Sequence, residues 1–379
     1  MTTLINTRIL LVNRPRGRPK ASDFCIDQTL ISSSAPAGGI LIQTTHISID
    51  PAMRGWMSDA KSYLPPVKLG DVMRATCVGV VIASRCRTGI NSNNNTSNTS
   101  NNNKAGEVRV GQMVKCDVGG VQTYVSISED GMRYVKPLPR MLHGISPSAY
   151  LGVLGTTGLT AYFGFYRVGL PKEGDTVLVS GAAGATGSIV AQIAKRIMKC
   201  RVIGTAGSDE KCKWLTDNDI VDVAINYKVA GKSLSRVISE AACPKGVNIV
   251  FDNVGGPFLE AALSNLALGA RVVLCGAISQ YNSDSSISPQ TITGPRNYMN
   301  LLVKRASMKG FVVFDFRKEY RHAIGELSKY ITEGRLIHSE YIVEGIENFH
   351  PALMTLFDGT NRGKAVLKVS PKKFVKANL

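Results

Sequence analysis

A strand, a glycine-rich turn and a helix follow one another over residues 176–196, which read TVLVSGAAGATGSIVAQIAKR. An apolar run precedes the turn, and small residues open a helical pattern after it. Gly181, Gly184 and Gly187 allow a tight turn and a close approach between helix and strand. The arrangement predicts the first crossover of a parallel sheet, and it constrains what the following segments can form.

Apolar strands alternate with helical stretches throughout residues 146–334. The strand sequences are TVLVSG, RVIGTAG, VAIN, VNIVFDNV and RVVLCGA. Because strands that alternate with helices usually pair in parallel, this segment predicts an α/β domain with a doubly wound sheet of the Rossmann type.

Residues 1–145 and 335–379 have a different pattern. Short strands broken by Gly and Pro, such as GGILIQTTHISI and ATCVGVVIAS, predict a mostly β domain for the first segment. The second segment ends in the strand-like KAVLKV, residues 364–369. We expect it to rejoin the first domain.

One segment, residues 90–104, consists almost wholly of Asn, Ser and Thr. Without apolar side chains it cannot offset the entropy of becoming ordered, so we expect a disordered surface loop. Its glycosylation sequons begin at Asn94, Asn95 and Asn98. We expect them to stay unmodified, because nothing in the sequence directs the chain to a secretory route.

Composition limits the possible functions. With 379 residues and 44% hydrophobic content, the chain is long enough for two domains with separate cores. No apolar run approaches the roughly 18 residues of a membrane span, and no signal-peptide core is visible, so we expect a cytoplasmic protein. The eight cysteines include no pair separated by two residues, which favours free thiols. The net charge of +17 favours anionic ligands without identifying one.

The glycine turn and the end of the second strand together predict a dinucleotide site. The helix after the turn offers unpaired N–H groups and its positive dipole end to a pyrophosphate. Residues 204–208 read GTAGS, with no carboxylate for the 2′-hydroxyl of NAD. Lys211 can neutralise a 2′-phosphate, whereas Asp209 and Glu210 fit an ordinary helix start. We therefore predict NADPH as the cofactor.

Further motifs occur in order along nearly the whole chain. They are ISIDPAMRGWM (47–57), KSYLPP (61–66), LGTTGLTAYFGF (154–165), AAGATG (182–187), GSDEK (207–211), INYK (225–228), FDNVGG (251–256), CGAISQYN (275–282) and FVV (311–313). The ordered set resembles the prostaglandin reductase, alkenal double-bond reductase and curcumin reductase branch of the zinc-independent medium-chain dehydrogenase/reductase family.

The resemblance implies a GroES-like catalytic domain joined to a Rossmann domain, with NADPH in the cleft between them, and a homodimer. It also implies cofactor contacts. Those on the phosphate and ribose side are Gly184, Ala185, Thr186 and Gly187 at the pyrophosphate, Lys211 and Tyr227 at the 2′-phosphate, and Asn253 near the ribose. Those lining the nicotinamide half are Cys275, Gly276, Ala277, Ile278, Ser279, Gln280, Tyr281, Phe311, Val312, Val313 and Asn361.

The reaction implied by the resemblance is reduction of the carbon–carbon double bond of α,β-unsaturated carbonyl compounds. Hydride adds to the β-carbon, and a donor stabilises the resulting enolate before the α-carbon is protonated. Our hypothesis is that Tyr281 is this donor, with a ribose hydroxyl of the cofactor as the other candidate, and that Tyr63 shapes the substrate pocket. Ala52 borders this pocket where the family usually has Tyr, so the identity of the substrate does not transfer.

A catalytic zinc ion needs three protein ligands, which zinc-dependent relatives supply with a Cys, a His-Glu pair and a further Cys or Asp. The corresponding slot, residues 71–74, reads DVMR. His46 and Cys77 are the only candidates nearby. Since two scattered ligands are too few, we predict no metal and interpret His46 as a strand residue with a satisfied hydrogen bond.

Two alternatives stay open at this point. An NADPH:quinone oxidoreductase of the zeta-crystallin type shares the zinc-free fold. Residues 14–20, RPRGRPK, contain the PRGRP core typical of AT-hook peptides, whose arginines enter the minor groove of DNA. The reductase family instead passes from its first strand into a proline-containing turn here. We expect a small unsaturated carbonyl compound as partner, rather than nucleic acid or a membrane.

Overall fold

The computed structural model describes residues 2–86, 108–139, 145–283 and 294–369. The Asn-rich segment at 90–104, with its three sequons, lies outside these residues. No helix within the described ranges is long and apolar enough to cross a membrane.

The secondary structure follows the sequence pattern, with short strands at both ends of the chain and alternating strands and helices between them. The strands are β1 (Thr3–Leu11), β2 (Phe24–Ser32), β3 (Ile40–Ser48), β4 (Cys77–Ser84), β5 (Met113–Cys116), β6 (Tyr124–Ile127), β7 (Val135–Pro137), β8 (Thr176–Val179), β9 (Arg201–Ala206), β10 (Val223–Asn226), β11 (Val247–Asp252), β12 (Leu266–Leu274), β13 (Ser307–Gly310), β14 (Glu340–Glu344) and β15 (Lys364–Lys368). The α-helices are α1 (Met53–Trp56), α2 (Thr156–Phe163), α3 (Ala185–Gln192), α4 (Asp209–Asp217), α5 (Tyr227–Ala230), α6 (Leu234–Ala242), α7 (Pro257–Leu263), α8 (Met299–Val303), α9 (Tyr320–Thr332) and α10 (Phe349–Asp358).

Six parallel strands form one sheet, in the order β10-β9-β8-β11-β12-β13. Every residue of β8 is buried. Val177 and Val179 pack into one apolar cluster and Leu178 into another, because successive side chains point to opposite faces and both faces are covered. The predicted doubly wound sheet is confirmed. Its strand order changes direction between β8 and β11, which is where a crevice for ligands forms.

The mostly β part is a seven-stranded sheet in the order β14-β15-β3-β4-β5-β7, with β6 also paired to β3, and a separate hairpin of β1 and β2. The late strand β15 is antiparallel to β3, with Val366 opposite Ser48. The predicted fold class, a mostly β part combined with a Rossmann sheet, is confirmed. The exact boundaries 1–145, 146–334 and 335–379 stay a prediction.

The two parts meet where the chain after α10 passes the glycine turn after β8. The Gly363 N–H donates to the Ala183 carbonyl oxygen at 2.9 Å, and Gly363 pairs with Gly184 in an isolated bridge. This contact joins the glycine turn of the Rossmann sheet to the segment that leads into β15.

Candidate functional site

Most of the sequence-predicted cofactor residues follow directly on the carboxyl ends of the parallel strands. These ends are Val179, Ala206, Asn226, Asp252, Leu274 and Gly310. The predicted residues come soon after them in the chain: Gly184 to Gly187, Lys211, Tyr227, Asn253, Cys275 to Tyr281 and Phe311 to Val313. Since ligands of open α/β sheets bind at this edge, the fold gathers these residues around one crevice.

The glycine turn packs closely against the start of α3. Gly181 has φ of +58°, a conformation that favours glycine. A Cβ atom on Gly187 would lie 2.3 Å from the Gly181 carbonyl oxygen, so α3 can pack this closely only without a side chain there. Gly184 precedes α3, and Ala185 and Thr186 form its half-buried first turn. The free N–H groups of that turn can bind a pyrophosphate.

A buried network holds the ends of β8 and β11 together. The Ser180 hydroxyl donates to Asp252 Oδ1 at 2.9 Å and accepts the Asn253 backbone N–H at 2.7 Å. Burial raises the pKa of Asp252, while N–H donors from Val254 and Gly255 and the Ser180 hydroxyl oppose the rise. The Asn253 side chain donates to the Ser180 carbonyl at 2.8 Å, so this predicted ribose residue also braces the glycine turn. Sequence reasoning missed Ser180 and Asp252.

The end of β9 is open and electropositive. A Cβ on Gly207 would lie 3.1 Å from the Tyr227 hydroxyl, which places that predicted residue beside the strand end. Burial lowers the pKa of Lys211, and the positive charges of Lys228 and Arg362 lower it further. An anion placed among these cations would relieve their repulsion. Sequence reasoning missed Lys228, the last residue of INYK, and Arg362, which follows Asn361 directly.

Two acidic residues stand at the start of α4, and the negative charge of Glu210 partly offsets the effect of the cations on the pKa of Lys211. Asp209 Oδ1 accepts a hydrogen bond from the Asn226 side chain at 2.7 Å. Both Asp209 and Glu210 belong to the first turn of α4, whose Ser208 cap accepts the Lys211 backbone N–H at 3.3 Å. They therefore complement the helix dipole, as the sequence reading allowed.

Asn361 is held beside Lys211 and the glycine turn. Its carbonyl oxygen and that of Gly359 accept hydrogen bonds from Lys211 Nζ at 2.5 and 2.6 Å, and its side chain donates to the Gly363 carbonyl. Asn361 thus lies beside Lys211, where the chain crosses from α10 to the glycine turn. Its expected contact with the nicotinamide half of the cofactor stays a prediction.

The run from Cys275 to Tyr281 folds back onto the end of β11. Its backbone N–H groups donate to the carbonyl oxygens of Asp252, Asn253 and Val254. Burial raises the pKa of Cys275 to about 12, so its thiol stays protonated and cannot act as a nucleophile at neutral pH. Gly276, Ala277, Ile278, Ser279 and Gln280 lie between the two ends of this run.

Tyr281 ends this run with a half-buried side chain. Its hydroxyl oxygen accepts the Ala277 backbone N–H at 3.2 Å. Burial raises the pKa of Tyr281, with that N–H donor opposing the rise. The phenol therefore keeps its proton at neutral pH and, having accepted a hydrogen bond, can donate one.

A group of aromatic side chains lies near Tyr281. The rings of Tyr63 and Phe314 meet edge to face with 6.4 Å between their centroids, and Tyr63 lies within electrostatic range of Tyr281. Phe311 approaches Phe316 at 6.4 Å, while the Val313 carbonyl accepts the Tyr320 hydroxyl. Val312 lies between Phe311 and Val313 in the chain. Tyr63 is 56% exposed, so it lies at the solvent-facing end of this group of aromatic side chains.

Ala52 precedes α1 and is half-buried. The residues on either side of it are firmly held. Asp50 forms an ion pair with Lys364, and the Arg54 guanidinium donates to the Pro15 and Gly17 carbonyl oxygens. Ala52 is thus a small side chain on a fixed segment.

The residues considered as metal ligands do not converge in the described part of the chain, where no group of three or more His, Cys, Asp or Glu could hold an ion. His46 lies in β3, its Nδ1 is 3.1 Å from the Thr45 hydroxyl, and burial lowers its pKa. Cys77 lies in β4 opposite Cys116 of β5. His46 is a strand residue with a hydrogen-bond partner, as interpreted from the sequence.

The basic segment at residues 14–20 is held against the mostly β part. Arg14 donates to the Met57 and Val67 carbonyl oxygens and pairs with Asp59 at 2.8 Å. Arg54 also donates to the Pro15 and Gly17 carbonyl oxygens. The two arginines of the PRGRP core, Arg16 and Arg18, are exposed, and Arg18 pairs with Asp358. DNA binding by this segment stays an alternative.

The crevice fits NADPH by two features of its own residues. The glycine turn leads into the N-terminal turn of α3, whose backbone N–H groups can bind an anion, and the cations Lys211, Lys228 and Arg362 lie together beside a strand end that carries no carboxylate. The first suits a pyrophosphate and the second a 2′-phosphate.

Two family models match the chain. The one described as the N-terminal domain of oxidoreductase matches residues 7–88, and the one described as zinc-binding dehydrogenase matches residues 185–329. Together they include residues from both the mostly β part and the Rossmann sheet.

Similar proteins match over nearly the full length. A putative NADP-dependent oxidoreductase of Bacillus subtilis is 38% identical, with 97% of this chain and 99% of the relative covered. Prostaglandin reductase 1 of Bos taurus is also 38% identical, with 93% and 95% covered. The crystal structure of CurA from Vibrio vulnificus in complex with NADPH superposes with a TM-score of 0.82 at 35% identity, with 97% and 100% covered.

Proposed function

The chain belongs to the zinc-independent branch of the medium-chain dehydrogenase/reductase family and is an NADP-dependent oxidoreductase, and we propose that it reduces the carbon–carbon double bond of α,β-unsaturated carbonyl compounds with NADPH. Its substrates on this proposal are enones and alkenals, including compounds similar to 15-keto-prostaglandins or curcumin. The names of the prostaglandin, curcumin and 2-alkenal reductases among its relatives support this reaction type.

The observation that carries the proposal is the state of the Tyr281 hydroxyl. Its oxygen accepts the Ala277 N–H at 3.2 Å, and burial keeps the phenol protonated. The hydrogen bond from Ala277 polarises the hydroxyl, and its proton is left to donate to a third group in the crevice. A carbonyl oxygen that gains negative charge during reduction is such a group.

The cofactor and the side chains near Tyr281 have separate roles in the proposed reaction. NADPH, when bound, supplies the hydride that the β-carbon of the substrate accepts. Tyr281 donates a hydrogen bond to the carbonyl oxygen as the enolate forms, which lowers the barrier. Tyr63 and Phe314 supply an apolar wall that orients the unsaturated chain, and solvent that enters past Tyr63 can protonate the α-carbon.

The proposed cofactor contacts are those expected from the sequence, with Lys228 and Arg362 added. Gly184 to Gly187 hold the pyrophosphate, while Lys211 and Tyr227 bind the 2′-phosphate together with Lys228 and Arg362. The Cys275 to Tyr281 run and Phe311 to Val313 line the nicotinamide half. Ala52 leaves more room in the substrate pocket than a tyrosine would.

The experiment is an assay of NADPH and NADH oxidation in the presence of a metal chelator. The acceptors are 2-alkenals, aryl enones, 15-keto-prostaglandins and quinones. We expect turnover of the conjugated carbonyl compounds with NADPH preferred over NADH. Turnover confined to quinones would overturn the proposal in favour of the quinone reductase alternative, and a preference for NADH would overturn the assignment of Lys211.

A further inference from the structure

The loop between α10 and β15, residues 359–363, is fixed against the Rossmann part of the chain. Lys211 Nζ on α4 donates hydrogen bonds to two carbonyl oxygens of this loop, and the Gly363 N–H donates to the Ala183 carbonyl oxygen at 2.9 Å. Gly363 has φ of +70°, a conformation that favours glycine. The backbone on both sides of Arg362 is therefore held in place.

The Arg362 side chain crosses from this loop to α4, where its guanidinium carbon lies 5.3 Å from the centre of the Trp214 ring. Lys211 and Trp214 are three residues apart in α4, so their side chains lie on the same face of the helix. Trp214 is half-buried and packs against an apolar cluster. Within the described part of the chain, Arg362 forms no hydrogen bond or ion pair. The cation–π contact with Trp214 is therefore what holds its guanidinium.

This contact holds Arg362 without using its hydrogen-bond donors. A guanidinium has five N–H donors, and a contact with the face of an aromatic ring engages none of them in a conventional hydrogen bond. Lys211 has three N–H donors and gives two of them to carbonyl oxygens of the loop. A phosphate that contacts Lys211 thus needs further donors, and Arg362 has the most to offer.

We propose that Trp214 is a positioning residue for cofactor selection: its ring holds the Arg362 guanidinium beside Lys211, with the N–H donors free to bind the 2′-phosphate of NADPH. This inference rests on the proposed 2′-phosphate contacts and adds the residue that makes Arg362 effective. An unrestrained arginine loses rotamer entropy when it binds a phosphate, whereas a stacked arginine has already lost much of it. The planar guanidinium can also donate to two phosphate oxygens at once.

The test measures the Kd of the complete protein for NADPH and for NADH by fluorescence titration. Trp214→Leu should raise the Kd for NADPH about three- to fivefold and leave the Kd for NADH unchanged. Trp214→Phe keeps an aromatic face and should stay within about twofold of the unmodified protein. Tyr134→Leu is the matched control, because it removes the ring that lies 5.0 Å from the Arg133 guanidinium, and it should change neither Kd.

A second variant, Arg362→Gln, separates positioning from a purely structural role of Trp214. It should raise the Kd for NADPH about tenfold, and adding Trp214→Leu to it should cause no further rise, since Trp214 acts through Arg362. Calorimetry with adenosine 2′,5′-bisphosphate and with ADP gives a readout that needs neither nicotinamide nor turnover. Trp214→Leu should weaken binding of the bisphosphate only, because ADP has no 2′-phosphate.

Several outcomes would overturn the inference. They are an equal loss of affinity for NADPH and NADH in Trp214→Leu, and a loss of NADPH affinity that is the same with and without Arg362. If Trp214→Leu does not fold, Trp56→Phe leaves Trp214 as the remaining tryptophan of the chain, and its emission decides. A change of emission with adenosine 2′,5′-bisphosphate that disappears on adding Arg362→Gln supports the inference, and constant emission refutes it.

The same measurements distinguish this inference from the function on which it rests. An unmodified protein that binds NADPH no more tightly than NADH would overturn the proposed 2′-phosphate contacts and the role of Trp214 with them. A protein that prefers NADPH, loses this preference in Trp214→Leu and reduces no enone would contradict double-bond reduction and support the role of Trp214.

Discussion

Lys364 and Asp50 form an ion pair, with 2.9 Å between Nζ and Oδ1, although 314 positions separate them in the chain. The Lys364 side chain is 5% exposed and that of Asp50 31%, and Lys364 Nζ also donates to the Ile49 carbonyl oxygen at 2.6 Å. Lys364 begins β15, and Asp50 precedes the segment that carries Ala52. The pair therefore ties the late strand to one border of the proposed substrate pocket.

Replacing Lys364 by methionine should destabilise the fold, because Asp50 is left partly buried without its cation. We expect a loss of about 3 kcal/mol in the free energy of unfolding, seen as a fall of at least about 6 °C in the thermal midpoint. Lys368→Met is the matched control on the same strand, since its pair with Glu344 is exposed on both sides and should contribute less than about 1 kcal/mol. Equal midpoints for the two variants would show that the buried pair is not stabilising.

Lys211→Gln should weaken NADPH binding much more than NADH binding, because only NADPH carries the 2′-phosphate. Loss of one charge-assisted contact predicts a rise of about tenfold or more in the Kd for NADPH, measured by fluorescence titration. Lys213→Gln on the exposed side of α4 should change neither Kd. If Lys211→Gln weakens the binding of NADPH and NADH equally, Lys211 acts mainly through its hydrogen bonds to Gly359 and Asn361 and not through a contact with the 2′-phosphate.

The same lysine predicts a pH dependence. Burial and neighbouring cations lower the pKa of Lys211, so it loses its proton at a lower pH than an ordinary lysine. Since the phosphate binds the charged form, affinity for NADPH should fall as pH rises through this lowered pKa, while affinity for NADH stays flat. Parallel loss of both affinities would point to unfolding rather than to this titration.

Tyr281→Phe should lower kcat by at least about tenfold at saturating enone and NADPH, because the enolate loses its donor. Burial raises the pKa of Tyr281, so kcat in the unmodified protein should stay level through neutral and mildly alkaline pH. Tyr341→Phe, in the peripheral strand β14, is the control. Unchanged turnover in Tyr281→Phe would transfer the donor role to the cofactor ribose hydroxyl.

We propose a homodimer formed at the edge of the Rossmann sheet. β13 is the last strand of that sheet in the part of the chain that the structure describes, and the neighbouring α8 exposes Met299, Leu302 and Val303. Light scattering should give twice the chain mass, and Leu302→Glu with Val303→Glu should give monomers. Val229→Glu, at an exposed apolar residue of α5, should not. A monomeric unmodified protein would contradict this interface.

The glycine turn and the strand ends could be predicted from sequence because their signals are local. Gly181, Gly184 and Gly187 lie in one short stretch, and Lys211 follows the next strand at a fixed offset. The Rossmann order then follows from the alternation of strands and helices. These features need no knowledge of distant contacts.

The rest depends on contacts between distant segments. Arg362 lies within electrostatic range of Lys211, although 151 positions separate them in the chain. Ser180 donates a hydrogen bond to Asp252, 72 positions away. The local sequence around Arg362 and Ser180 does not indicate which distant residue each of them approaches. The contact between Asn361 and Lys211 could not be predicted for the same reason, since it depends on how the chain crosses from α10 to the turn.

The most direct test of double-bond reduction follows deuterium from the reactive C4 position of labelled NADPH into an enone, with the product analysed by nuclear magnetic resonance. Hydride addition to the β-carbon predicts a saturated carbonyl compound with deuterium on that carbon. An allylic alcohol with deuterium on the former carbonyl carbon would contradict the account, because it would show reduction of the carbonyl group and leave the double bond intact.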